Sequence, residues 1–82
     1  MDPHPADLVG RALARIVAAT PTADVVDIGG GSGTRAVPLA LAGCRVVVVD
    51  ASTDALASLA RRADEAGVSD RITALQADAD QL

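Results

Sequence analysis

A short apolar run, Val25-Val26-Asp27-Ile28, feeds straight into Gly29-Gly30-Gly31-Ser32-Gly33. Glycine weakens helix and strand interiors and is favoured where the backbone needs positive φ or a close approach. An apolar strand that ends in such a loop and opens into a helix presents backbone N–H groups to a ligand. That junction restricts the chain to folds in which a strand, a tight turn and a helix follow one another.

A second feature narrows the choice. Arg45-Val46-Val47-Val48-Val49-Asp50 contains four consecutive valines. An unbroken apolar run of this kind suits a strand buried on both faces, as in a parallel sheet. Around these two strands the spacing predicts helices. Leu8, Val9, Leu13, Ile16 and Val17 form one stripe over residues 7–19, with Asp7 as N-cap and Pro21-Thr22 starting a turn. A second helix is expected from about Thr34 to Ala42, stopped by Gly43 and bent by Pro38. Ser52 caps a third over residues 53–66, closed by Gly67. Arg71–Gln76 reads as a third strand, followed by Ala77-Asp78-Ala79-Asp80. The order α-β-α-β-α-β, with short connections, predicts a parallel sheet with right-handed crossovers. Residues 1–6 read as a tail and residues 7–82 as the first half of a doubly wound domain, which normally continues for further strands.

Composition excludes several functions. Eleven acids face seven arginines, no lysine and no aromatic residue, for a net charge of −4. Such a chain has neither the basic surface nor the stacking platforms used on nucleic acids. Without a lysine after the glycines it is not a P-loop nucleotide hydrolase. One cysteine and one histidine give no metal cluster and no intrachain disulfide. No run of about 20 apolar residues is present, and the first residues have no basic, signal-like region. The expectation is a cytoplasmic chain that is marginally stable alone, because its apolar side chains are small and it is short.

Three features fall at the carboxyl ends of successive strands, the edge where open α/β sheets bind ligands. They are the glycine loop with Asp27 at its mouth, Asp50 at the end of the valine strand, and Asp78 after the third strand. A carboxylate at Asp50 would accept the hydroxyl hydrogens of a ribose, and one at Asp78 an adenine amino group. The loop has two readings. Gly31-Ser32-Gly33-Thr34-Arg35-Ala36 fits the dinucleotide fingerprint G-x-G-x-x-A, which implies NAD. Counted from Gly29, the pattern is D-x-G-x-G-x-G, and the leading acid suits a cationic ligand better than a pyrophosphate.

With those residues in place, the chain resembles the cofactor-binding half of the class I S-adenosylmethionine-dependent methyltransferases. Residues 25–33 match that family's first motif, Val47-Val48-Val49-Asp50-Ala51-Ser52 its second and Ala77-Asp78-Ala79 its third, with Ala77 where the family often has glycine. The resemblance implies a Rossmann-like three-layer α/β sandwich with a parallel sheet. This chain would carry only about three strands and three helices of a seven-stranded fold. It implies S-adenosylmethionine as cofactor, with Gly29, Gly30, Gly31, Ser32 and Gly33 around its methionine part and Asp27 near its amino group and sulfonium. Asp50 would hold the ribose, Ala51 would pack on the adenine, and Asp78 and the Ala79 amide would meet the adenine edge. Members of the family act on small molecules or on tRNA wobble uridines, and the acceptor stays open. The residues of an acceptor pocket and of any catalytic base are expected beyond this chain, so no catalytic residue is assigned. An NAD-binding oxidoreductase half and a non-catalytic fragment remain the alternatives, and the unpaired edge of the first strand would favour self-association.

The other candidates have simpler explanations. Cys44 reads as a small core residue and His4 as part of the tail. Arg61, Arg62, Asp64 and Glu65 read as a solvated helix face. Arg35 reads as an exposed helix residue, Ser32 and Thr34 as helix-start hydroxyls, and Asp80 as a turn residue.

Overall fold

The computed structural model describes residue 11 and residues 14–77. Residues 14–19 are helical (α1), and the Thr20 hydroxyl closes this segment by donating to the Ile16 carbonyl at 2.6 Å. The strands are β1 (Val25–Ile28), β2 (Val46–Asp50) and β3 (Ile72–Gln76). Helices α2 (Ala36–Leu41) and α3 (Thr53–Glu65) connect them, and a 3-10 turn, Ser69–Arg71, leads into β3. The remainder of the predicted first helix and the residues after Ala77 lie outside the described residues.

The sheet is parallel, with β2 between β1 and β3. Val46 to Val49 are all at most 2% exposed, the double-sided burial that their sequence predicts. Alternate side chains leave opposite faces of a strand. Val46 and Val48 accordingly pack with Ala36 of α2 and Leu59 of α3. A second cluster joins Ala40, Ala63 and Val68. Ala36 lets α2 lie close to the valines, while α3 meets them through Leu59. Cys44 is half-buried against the first cluster, which fits its reading as a packing residue.

Local chemistry sets the element ends. Arg45 N–H donates to Asp24 Oδ2 at 2.8 Å and Asp24 N–H to the Arg45 carbonyl at 2.8 Å, tying the amino ends of β1 and β2 together. Ser52 caps α3, its Oγ accepting from Ala55 N–H at 3.1 Å. Both longer connections end in the same way. Gly43 N–H bonds to the Ala40 carbonyl and Cys44 N–H to that of Leu39, while Gly67 and Val68 bond to Asp64 and Ala63. These are the paired bonds of the Schellman motif. The second helix starts two residues later than expected and shows why Pro38 is tolerated. Pro38 lies in the first turn, where N–H groups have no intrahelical partner to lose. Arg45 and Arg71 sit just outside the strands predicted to include them.

Among the described residues no helix is long and apolar enough to cross a membrane.

Candidate functional site

β1 ends at Ile28, and Gly29 turns at once to φ +72°. Its N–H still donates to the Val49 carbonyl at 2.7 Å, so the glycine loop starts from the last rung of the β1–β2 ladder. The loop therefore counts from Gly29, and Gly29 and Gly30 are not absorbed into the strand as the dinucleotide fingerprint would require.

The loop folds back over two acids. A Cβ on Gly30 would run into the carboxylate of Asp27, and one on Gly31 would lie 3.2 Å from Asp50 Oδ2. Gly31 and Gly33 have φ of +50° and +90°, which side chains rarely adopt. At Gly33 a Cβ would also meet Leu59 Cδ1 at 2.7 Å, so this glycine lets the loop rest on α3. Gly33 N–H donates to the Gly30 carbonyl at 3.3 Å and closes the turn. The Ser32 and Thr34 hydroxyls are 3.4 Å apart at the loop's exposed end.

Asp50 ends β2 beside this loop. Its Oδ1 accepts from Ser52 N–H at 2.8 Å, which leaves Oδ2 on the side of Gly31. The Ala51 carbonyl accepts from Gln76 Nε2 at 3.2 Å, and Ala77 N–H continues the β2–β3 ladder to the Asp50 carbonyl at 3.0 Å. Asp27, Gly29 to Gly33, Asp50 and Ala51 thus converge on one edge. Asp78 and Ala79 lie outside the described residues.

Asp27 is the unusual member. Its Oδ2 is buried and has no hydrogen-bond partner among the described residues. A buried unpaired acceptor costs about 1–3 kcal/mol, so native structures rarely keep one without a reason. Here it sits at the mouth of the glycine loop, beside Gly30.

Two contributors were not legible as such. Arg62, expected on a solvated face, donates from Nη1 to the Ser32 carbonyl at 3.3 Å. Gln76 reaches Ala51 because the register sets it opposite Asp50. Nothing in the sequence pattern marks either bond. A cavity of about 180 Å³, lined by Thr20, Thr22, Arg45, Arg71 and Thr73 among others, opens at the amino ends of the strands and contains none of the site residues.

A parallel β-α-β-α-β unit with a glycine turn and acids at the carboxyl ends of adjacent strands is a Rossmann-like nucleotide-binding half. Comparison with known proteins narrows that class. The chain belongs to the methyltransferase domain family, which matches residues 25–82. It is 49% identical over 57 residues to a release factor glutamine methyltransferase of Chlorobaculum tepidum, covering 67% of this chain and 19% of that protein. An RNA methyltransferase from Salinibacter ruber, solved with S-adenosyl-L-homocysteine, superposes with a TM-score of 0.66 at 25% identity. That match covers 99% of this chain and 53% of the other. A SAM-dependent methyltransferase from Thiobacillus denitrificans, also solved with S-adenosyl-L-homocysteine, gives 0.64 at 30% identity, covering 82% and 29%. The chain therefore spans about a fifth of the curated relative and about a third to a half of these solved structures.

Proposed function

We propose that the chain is the S-adenosylmethionine-binding part of a methyltransferase. The observation that carries this reading is the buried, unpartnered Asp27 Oδ2 at the mouth of the glycine loop. A cationic amino group satisfies such an acceptor, whereas a pyrophosphate would face like charge. The cradle fits as well, since a Cβ at Gly30 or Gly31 would occupy the space beside the two acids.

In this reading Asp27 accepts from the ligand's ammonium group, and the loop from Gly29 to Gly33 encloses its amino-acid part. Asp50 accepts from the ribose hydroxyls, and Ala51 packs against the adenine. Asp78 and Ala79 are assigned to the adenine edge by the motif they match. Bound S-adenosylmethionine supplies a methyl group activated by its sulfonium. The chain's own contribution is orientation, which in well-aligned reactions lowers the barrier by roughly 7–11 kcal/mol. The acceptor in this proposal is a small molecule or a tRNA. Copies of the chain would also associate through the edge of β1 that no described strand covers, which sedimentation at rising concentration tests.

Titration calorimetry with S-adenosylhomocysteine tests the cofactor reading. Saturable binding with one ligand per chain is expected. No heat beyond dilution, from a chain whose circular dichroism shows it folded, would overturn it.

A further inference from the structure

The two loops that meet at the site are each held from outside by a side chain that the site does not otherwise use. Arg62 of α3 holds the Ser32 carbonyl, and Gln76 at the end of β3 holds the Ala51 carbonyl. Both side chains are exposed, and both reach across the fold to a backbone atom far away in sequence.

A trans peptide is planar, with its C=O and the following N–H pointing in opposite directions. Turning one carbonyl outward therefore aims the next N–H inward. At the first loop, the carbonyl held by Arg62 belongs to Ser32, and the next N–H, of Gly33, closes the glycine turn on the Gly30 carbonyl. At the second, the carbonyl held by Gln76 belongs to Ala51. The next N–H, of Ser52, lands on Asp50 Oδ1 and sets that carboxylate with Oδ2 toward Gly31. Each outer bond thus fixes one peptide plane, and each plane makes one bond that shapes the site.

The placement of Arg62 supports this. Ala55, Leu59 and Arg62 follow one another at helical spacing on a single face of α3. Gly31 lies against Ala55, Gly33 against Leu59 and Ser32 against Arg62. One stripe of the helix follows the loop, and Arg62 is its polar end. Gln76 is the register partner of Asp50, so its side chain starts beside the acid whose turn it holds.

We propose that Arg62 and Gln76 are positioning residues with separate tasks. Arg62 orders the glycine loop that receives the amino-acid part of the ligand, and Gln76 orders the acidic turn that receives the ribose. The division between ligand parts rests on the cofactor reading above; the ordering of the loops does not.

The test uses the whole 82-residue chain with two probes, S-adenosylhomocysteine and adenosine, which lacks the amino-acid part. R62A is expected to weaken S-adenosylhomocysteine about threefold to tenfold, the range of one hydrogen bond, and to leave adenosine unchanged. Q76A is expected to weaken both ligands by a similar factor. R62K, which keeps a donor, should recover part of the loss, and Q76E, which keeps the shape but not the donor, should behave as Q76A. Amide ¹⁵N relaxation without ligand supplies the second readout. R62A should raise mobility at Gly30–Gly33 and Q76A at Asp50–Ser52, each without the other. Equal effects of R62A on both probes, no effect of either alanine variant on S-adenosylhomocysteine, or mobility spread through the sheet would overturn the proposal. If the unaltered chain binds neither probe, the cofactor reading fails, and the relaxation pattern alone decides whether the two side chains order their loops.

Discussion

At the scale of single residues, Asp27 separates function from stability. Its buried Oδ2 has no hydrogen-bond partner among the described residues, so no hydrogen bond there is lost when the carboxylate becomes an amide. D27N should therefore keep or raise the denaturation midpoint while weakening S-adenosylhomocysteine about tenfold or more, as expected for losing a charge-assisted bond. A fall in stability with binding intact would make Asp27 a structural residue. The glycines divide in the same way. G30A has its conflict with the end of a flexible side chain, Asp27, and should impair binding more than folding. G33A combines positive φ with contact against Leu59 in the core, and should cost about 1–3 kcal/mol in urea denaturation.

At the scale of elements, α3 links the core to the site. Its Ser52 cap lies two residues from Asp50, and the same serine serves both, through its Oγ to Ala55 and its N–H to the carboxylate. S52A should cost about 1 kcal/mol, read by denaturation, while the Ser52 N–H bond to Asp50 remains available. Leu59 is fully buried between the valine strand and the glycine loop. L59A should cost about 2–5 kcal/mol, enough to leave a chain this small largely unfolded by circular dichroism. These elements were legible because they depend on local pattern. Four valines announce a two-sided strand, Ser52 announces a cap, and glycines announce loop and helix ends. The part that stayed hidden is tertiary. Arg62 looks like any solvated arginine until α3 packs beside the loop, and Gln76 acquires its partner only through the strand register. The orphaned oxygen of Asp27 is hidden for the same reason, since burial belongs to the fold and not to the motif.

At the scale of the whole molecule, the described residues form one half-sheet whose candidate site groups lie at one edge. The valine strand anchors that edge from the centre, and both flanking strands deliver their carboxyl ends to it. The chain covers only part of the length of its relatives, and the site described here draws on this part alone. The proposed site needs no other segment: in that proposal the glycine loop and the acids beside it receive an S-adenosyl ligand together. The most direct test is an amide NMR titration of the ¹⁵N-labelled chain with S-adenosylhomocysteine and, separately, with NADH. Dispersed peaks are expected, with Gly29–Gly33, Asp50 and Ala51 moving saturably with S-adenosylhomocysteine and staying still with NADH. Movement with NADH alone, or a dispersed spectrum that neither ligand changes, would contradict it.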